Sequence, residues 1–204
     1  DGRIHGSVLT NATVSGRCSH RSPNLGQIPR VGQPYGAECR ALFHAPHGWR
    51  QVGCDASGLE LRGLGAQLAY FDGGEYSKLV STEGFDIHTH NAKLFGIYDG
   101  QGTIEKRIRE QAKTLIYAVL YGAGAQKLGT ILDPSLGQYD QQDLGRETIE
   151  TCYKNLPAIK KLKDKVDERV MDRGYLIGID GRHLQIRSRN SALNQLLQST
   201  GSLC

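Results

Sequence analysis

Four side chains in the stretch RIREQAKTLIYAVLYGAG recur at strict four-residue steps: Arg109, Lys113, Tyr117 and Tyr121. A helix would place all of them on one face. Two cations one helical turn apart repel each other by about 0.2–0.5 kcal/mol, a penalty that an anionic ligand would remove. A flat ring could stack on the tyrosines. The spacing therefore predicts a surface for a ligand that is anionic at one end and planar at the other.

Asp55 is a second candidate, between the apolar stretch WRQVGC and the helical pattern SGLELRGLGAQLAYF. An aspartate at the end of a strand could hold Mg²⁺, which prefers one or two carboxylates and leaves room for phosphate oxygens. Asp55 or Ser57 could instead cap the helix, because Ser57 and Glu60 have the spacing of a capping box. On these residues alone, capping is the favoured interpretation.

Other polar side chains could reach a nucleic acid. Arg17 and Gln27 lie in the loop SGRCSHRSPNLGQIP, and Asn194 and Gln198 lie four residues apart in a helical pattern. Guanidinium and amide groups could bond to phosphates or base edges. A solvated surface loop and an ordinary polar helix face would explain the same residues, so each signal is weak alone.

The bulk composition is ordinary for a globular protein, with 38% hydrophobic and 23% charged residues among 204. The net charge is +4, but residues 1–50 contain six arginines, no lysine and two acids. This pattern favours a solvated basic surface and suggests a nucleic-acid partner only weakly. The five cysteines lack a C-x-x-C pair, which predicts free thiols.

Hydrophobic periodicity and turn residues predict the elements that would position these side chains. Residues 1–50 are expected to be rich in loops. A buried strand is predicted over 49–55, a loop over 129–145, and a hairpin with a type I′ turn at Asp180-Gly181. Helices are predicted over 57–71, 86–98, 103–121, 145–156, 157–174 and 191–201. This order indicates an α+β protein with a helical insertion.

Together these motifs occur in the order and spacing of one family. The chain resembles the family A DNA polymerases (the DNA polymerase I family), most closely their bacteriophage replicative branch. DASGLELR resembles motif A, and R-x-x-x-K-x-x-x-Y-x-x-x-Y-G resembles motif B on the fingers helix. PNLGQIP, DIHT, DGR and NQLLQ also follow the family's order, so the resemblance covers essentially the whole chain.

The resemblance implies a partial right-hand polymerase fold, with palm elements and a helical fingers subdomain. Residues 1–80 would be a palm part with motif A, and residues 81–175 the fingers with the motif B helix. Residues 176–204 would form a hairpin and a helix that return to the palm. Motif C, a His-Asp turn that carries the second metal-binding carboxylate, does not occur in the sequence. We expect it in a longer protein and expect these residues alone to be inactive.

The resemblance also implies a role for each candidate residue in DNA synthesis. Asp55 and Lys113 would be catalytic, with Asp55 and the Ala56 carbonyl binding Mg²⁺ and Lys113 assisting the leaving pyrophosphate. The residues expected to bind the incoming nucleotide are Glu60, His88, Arg109, Lys113 and Tyr117. Those expected to bind primer–template DNA are Arg17, Gln27, Tyr121, Asn194 and Gln198.

Two of these roles concern specificity. Glu60 would be a steric gate that excludes a ribose 2′-hydroxyl. Tyr117 stands where some family members have phenylalanine, and its hydroxyl could replace a missing 3′-hydroxyl, which implies acceptance of dideoxynucleotides. In the minor groove, Arg17, Asn194 and Gln198 would contact the N3 and O2 acceptors that every Watson–Crick pair presents. Such contacts would test base-pair geometry without reading sequence.

The implied partners are primer–template DNA and a deoxynucleoside triphosphate in viral DNA replication, without a membrane. The phage branch also suggests a host processivity factor such as thioredoxin, bound by a thumb segment outside these residues. The expected location is the cytoplasm of an infected cell. Two other classes stay open: a single-subunit RNA polymerase, which Glu60 disfavours, and a non-catalytic nucleic-acid-binding protein, which needs neither Asp55 nor Lys113.

Overall fold

The computed structural model describes residues 2–203. They divide between Ser57 and Gly58 into two compact units, here called unit 1 and unit 2. Unit 1 contains β1 (Ser7–Leu9), β2 (Ser19–Arg21), a short 3₁₀ helix (Leu25–Gln27) and α1 (Gly36–Ala41). The two strands are antiparallel, with Val8 opposite His20. Most side chains of unit 1 are exposed, which confirms the loop-rich segment expected there.

Side chains, rather than a large core, stabilise the turns of unit 1. Asn24 precedes the 3₁₀ helix, and its Oδ1 accepts a hydrogen bond from the Gly26 N–H at 3.1 Å. The guanidinium of Arg40 donates to the carbonyl oxygens of Pro29 at 2.8 Å and Ile28 at 3.3 Å. These bonds join α1 to the PNLGQIP loop, so one of the six arginines of this region has a structural role.

The buried strand predicted over residues 49–55 is wrong. This segment is irregular and exposed, with Trp49 at 76% and Val52 at 89% exposure. A strand needs a neighbour for its backbone groups. Among the described residues of unit 1, β1 and β2 pair only with each other, so the apolar pattern of WRQVGC has nothing to pair with.

Unit 2 is mainly helical. Its elements are α2 (Leu59–Asp72), α3 (Glu75–Ser81), α4 (Ile87–Leu94), α5 (Lys106–Leu120), α6 (Ala125–Leu132), α7 (Gln138–Asn155), α8 (Pro157–Arg173), β3 (Tyr175–Ile177), β4 (His183–Gln185) and α9 (Ala192–Gly201). Helix α2 packs against α3, α8 and α9, while α5 packs against α4 and α6. The core includes Leu64, Leu68, Leu115, Ile116 and Leu197, each 2% exposed or less. Within residues 2–203, no helix is long and apolar enough to cross a membrane.

The predicted helices of unit 2 are confirmed, with shorter ends in several cases. Pro157 is the first residue of α8, as expected from its fixed φ and missing N–H. Asp86 is the N-cap of α4, where its side chain accepts from the His88 N–H. Helix α4 ends at Leu94 rather than near residue 98, because Gly96 turns the backbone with φ of 72°.

The loop predicted over residues 129–145 is wrong, because α6 and α7 occupy most of it. A Cβ on Gly129 would lie 1.8 Å from the Gln141 carbonyl oxygen, and one on Gly145 would lie 1.9 Å from that of Ala125. The glycines therefore allow two helices to pack backbone to backbone.

Two local predictions also fail. The hairpin is confirmed, but Ile177 pairs with His183, so its loop covers residues 178–182. Gly181 has a φ of 83°, whereas Asp180 is not among the described residues with positive φ, and a type I′ turn needs both. The predicted start of α2 is also shifted: the N-cap is Gly58, with φ of 62°, rather than Ser57 or Asp55.

Candidate functional site

The four-residue stripe predicted from the sequence exists on α5. Arg109, Lys113 and Tyr117 lie within the helix, and Tyr121 is its C-cap. The face beside it is buried and comprises Ala112, Leu115, Ile116, Val119 and Leu120. Because this face packs into the core, the stripe stays at the surface, with Lys113 exposed and Tyr117 partly buried.

Asp86 holds Arg109 in place. The Arg109 Nε donates to Asp86 Oδ2 at 2.7 Å, and its Nη2 donates to Oδ1 at 3.0 Å. Asp86 also accepts from the His88 backbone N–H at 3.1 Å and from the Thr89 hydroxyl at 2.7 Å. The guanidinium and these further donors hold the pKa of Asp86 well below its ordinary value. The ionised carboxylate therefore joins the start of α4 to the first turns of α5.

His88 lies in the first turn of α4, close to both cations. Burial lowers the pKa of its imidazole, and the charges of Arg109 and Lys113 lower it further. Its Nδ1 is buried without a hydrogen-bond partner among the described residues. A neutral imidazole keeps one N–H donor, so His88, next to two cations, can donate to an anionic group.

Tyr121 joins the other end of the stripe to α2. Its hydroxyl lies 3.0 and 2.9 Å from the two carboxylate oxygens of Glu60 and donates to this carboxylate. The rings of Tyr117 and Tyr121 lie 6.2 Å apart and are tilted by 44°. Burial raises the pKa of the Tyr117 hydroxyl, and the charge of Glu60 raises it further. A carboxylate beside these rings disfavours a second anion there, so an anionic ligand group belongs at the cationic end.

The end of α5 also meets the segment before α9. A Cβ on Gly122 would lie 1.9 Å from the Asn190 carbonyl oxygen, and Gly122 has a φ of 75°. Asn194 and Gln198 follow on α9, where both are partly buried. The Asn194 Oδ1 is buried without a hydrogen-bond partner among the described residues. Unit 2 thus carries eight of the predicted site residues: Glu60, His88, Arg109, Lys113, Tyr117, Tyr121, Asn194 and Gln198.

The remaining candidates, Arg17, Gln27, Asp55 and Ala56, lie in unit 1. Arg17 follows a turn in which the Thr13 hydroxyl donates to its carbonyl at 3.0 Å, and Gln27 ends the 3₁₀ helix. Asp55 and Ala56 are exposed in irregular backbone. Among residues 2–203, no three His, Cys, Asp or Glu side chains are grouped to hold a metal ion. One exposed carboxylate still fits Mg²⁺, which keeps several waters and binds substrate phosphates.

Sequence reasoning missed one residue of this arrangement. Asp86 was expected only near the start of its helix, yet it contacts Arg109, 23 residues later. Its position as an N-cap is visible in the sequence, because aspartate before an apolar helical pattern is a common start signal. A pairing between two helices has no such local signal.

Comparison with known proteins identifies the family of this chain. The protein-family model described as "DNA polymerase family A" matches residues 1–202 of the sequence. The DNA-directed DNA polymerases of Enterobacteria phage T3 and Escherichia phage T7 are each 40% identical over 225 residues, covering 100% of this chain and 30% of theirs. The thermostable DNA polymerase I of Thermus aquaticus is 35% identical over 182 residues, covering 89% and 20%. The chain thus spans about a third or less of the curated relatives it matches.

A solved structure has the same fold. The POL domain of Pol1 from M. smegmatis, in complex with DNA primer-template and dNTP, matches with a TM-score of 0.70 and 21% identity. The match covers 100% of this chain and 34% of that one. The fold is therefore α+β and a partial polymerase fold, as the sequence indicated. With its family model matched over residues 1–202, this chain belongs to DNA polymerase family A.

Proposed function

We propose that this chain is part of a DNA-directed DNA polymerase that replicates viral DNA and transfers deoxynucleotides to a primer 3′-hydroxyl. The observation that carries the proposal is the polarity of the α5 stripe. Arg109, Lys113 and neutral His88 meet at one end, while two tyrosines and Glu60 meet at the other. A nucleoside triphosphate has the same polarity, with charge at one end and a planar base at the other.

In this pose, the triphosphate lies along the cations and the sugar and base lie toward the tyrosines. Arg109 offers a flat guanidinium and Lys113 an exposed ammonium, and both are common phosphate ligands. Tyr117, partly buried beside Tyr121, would contact the sugar, where its hydroxyl could compensate for a missing 3′-hydroxyl. Glu60, held by the Tyr121 hydroxyl, would stand against the 2′ position of a ribose.

Asp55 and the Ala56 carbonyl are the proposed ligands of Mg²⁺. When bound, the metal would neutralise phosphate charge and activate the attacking hydroxyl. Lys113 would stabilise the leaving pyrophosphate by charge or by proton donation. We further propose that the three segments predicted from the sequence, 1–80, 81–175 and 176–204, serve as palm part, fingers and return to the palm.

DNA contacts are proposed on both units. Asn194 is partly buried on α9, and its amide NH₂ would donate to a base edge. Gln198, one turn later, and Arg17 would add minor-groove donors, with Gln27 and Tyr121 contacting the primer–template. Duplex geometry rather than sequence would be tested by such contacts. Binding of a host processivity factor such as thioredoxin stays a prediction.

The test is Mg²⁺-dependent binding of dATP to the 204-residue chain, measured by calorimetry with and without primer–template DNA. The double variant Arg109→Ala/Lys113→Ala should weaken binding by about a hundredfold, since two charge-assisted contacts are lost. Arg107→Ala is the matched control, because it removes a cation of the same helix that lies off the stripe.

Three results would contradict the proposal. Equal losses in the double variant and in Arg107→Ala would show that the stripe has no special role. DNA affinity that does not depend on Mg²⁺ or dATP would favour the non-catalytic nucleic-acid-binding protein. Preference for ATP over dATP would favour the RNA polymerase relative.

A further inference from the structure

Asp86 binds four donors with its two carboxylate oxygens. Oδ1 accepts from the His88 N–H and from Arg109 Nη2, while Oδ2 accepts from the Thr89 hydroxyl and from Arg109 Nε. The carboxylate has little capacity left for other partners, so its orientation is fixed from two helices. Two of the three residues that would meet the triphosphate, His88 and Arg109, are thereby attached to one side chain.

This pairing is unexpected if charge alone matters. A carboxylate next to Arg109 reduces the attraction of the guanidinium for a phosphate. The side chains of Arg109 and Asp86 are 36% and 38% exposed, and ion pairs of that exposure contribute little to stability. Neither nucleotide affinity through charge nor folding therefore accounts for the contact. The remaining consequence of the contact is that it fixes the orientation of the guanidinium.

The geometry leaves one edge of the guanidinium available. Arginine has five N–H donors, and Asp86 uses the Nε proton and one of the two on Nη2. Both Nη1 protons and one on Nη2 remain, an edge that can bind two phosphate oxygens in parallel. The Nη1 contact with Glu110 is long, at 3.4 Å, and does not close that edge.

We propose that Asp86 is a positioning residue that sets the plane of Arg109, aims its remaining edge at the triphosphate, and holds His88 beside it. The inference rests on the proposed function, because it assigns the triphosphate to this site. Asp86 does not touch the nucleotide itself. Its effect passes through the guanidinium, which it orients before the ligand arrives.

Orientation and charge predict opposite signs for one substitution. Asp86→Asn removes a negative charge that repels phosphate, and asparagine still serves as an N-cap. If Asp86 acts by orientation, the variant should bind dATP·Mg²⁺ about tenfold more weakly despite the more favourable charge. Glu110→Gln is the matched control. It removes an equal charge beside the same guanidinium and should tighten binding about twofold.

The experiment uses the 204-residue chain and two readouts. Calorimetric titration with dATP·Mg²⁺ measures affinity. The ¹⁵N–¹H signal of Arg109 Nε, assigned by its loss in Arg109→Lys, reports whether the guanidinium is held, because a fixed Nε–H exchanges slowly with water. We expect a protected signal in the wild-type chain and in Glu110→Gln, and a loss of protection in Asp86→Asn.

Each outcome decides one question. If Asp86→Asn binds dATP·Mg²⁺ as tightly as Glu110→Gln, or if Arg109 stays protected in it, the positioning role is wrong. If the wild-type chain shows a protected Arg109 but binds no triphosphate, the proposed function fails while Asp86 is still shown to orient the guanidinium.

Two further variants separate positioning from folding. Thr89→Val removes one hydrogen bond to Asp86 but keeps both charges, so it should alter stability more than affinity. In an Arg109→Ala chain, Asp86→Asn should cause at most a twofold further loss of affinity, through His88, because its main effect passes through the missing guanidinium. A further tenfold loss there would assign Asp86 a structural role only.

Discussion

A carboxylate from another helix contacts each end of the α5 stripe, but the two carboxylates have different hydrogen-bond partners. At the cationic end, Asp86 receives a bidentate ion pair from Arg109. At the aromatic end, Glu60 receives the neutral hydroxyl of Tyr121, and its charge is felt at the Tyr117 hydroxyl. In the proposed function, the first carboxylate would organise a cation for an anionic ligand. The second would keep anions away from the site of a neutral ring, so one stripe would orient a ligand end to end.

The two ends also differ in how they are attached. At the cationic end, the attachment consists of hydrogen bonds between the partly exposed side chains of Asp86 and Arg109. The aromatic end is attached by the backbone, because Gly122 touches the Asn190 carbonyl with no room for a side chain. We infer that the aromatic end is fixed by the backbone, whereas the geometry of the cationic end depends on the side-chain hydrogen bonds of Asp86.

Gly122→Ala is the variant expected to have the largest effect on this contrast between the two ends. The new Cβ would lie 1.9 Å from a backbone oxygen, in a residue with φ of 75°, so both contact and conformation are unfavourable. We expect a loss of about 3 kcal/mol in the free energy of unfolding, measured by urea denaturation of the chain. Gly124→Ala is the control, because Gly124 has φ of −73° and no atom within 4 Å of its Cβ position. Equal stability of the two variants would refute a fixed aromatic end.

Much of the fold followed from sequence because its signals are local. Helix α5 was predicted from an apolar face that is in fact buried, and α8 from Pro157 at its first position. The failures came from pairings between distant residues. Nothing local distinguishes Gly129 and Gly145 as helix-packing glycines from loop glycines, and the pattern of residues 49–55 gives no information on whether a partner strand is present.

The site shows the same division. The step of four residues from Arg109 to Tyr121 was readable, because a helix converts spacing into a shared face. The contacts of Glu60 with Tyr121 and of Asp86 with Arg109 join residues 61 and 23 positions apart, which spacing cannot reveal. Family resemblance suggested the gate role proposed for Glu60, whereas the positioning role proposed for Asp86 follows from a contact between two helices.

A smaller effect is expected at Glu60, on the choice between ribonucleotides and deoxyribonucleotides. Glu60→Ala should raise the affinity for ATP relative to dATP by about tenfold, because the space for a 2′-hydroxyl opens. Calorimetric titration of the chain with both nucleotides measures the ratio. Tyr121→Phe removes the hydroxyl bonded to Glu60 but keeps the ring, so it should shift the ratio in the same direction and less far. An unchanged ratio in Glu60→Ala would show that this carboxylate is not a gate.

The smallest effect is expected from pH at the cationic end, where His88 titrates. Its pKa lies below the ordinary value near 6.5, mainly through burial and then through the charges of Arg109 and Lys113, although Asp86 and Glu110 oppose the shift. Folding therefore favours the neutral form, so the unfolded chain binds more protons, and stability should fall as the pH drops below about 6.5. His90, also lowered by burial, should contribute in the same direction.

Nucleotide affinity should change with pH in the opposite direction to stability and rise as the pH falls. A triphosphate beside His88 favours the imidazolium and raises its pKa, so affinity should gain about threefold as the pH falls from 8 to 6. Protonation of the triphosphate itself acts against this gain, and His88→Gln measures that background. His90→Gln is the matched control, because His90 lies on the same helix but packs against the rings of Tyr76 and Phe85. If both variants follow the same pH profile as the wild-type chain, His88 does not face the phosphates, and the cationic end consists of Arg109 and Lys113 alone.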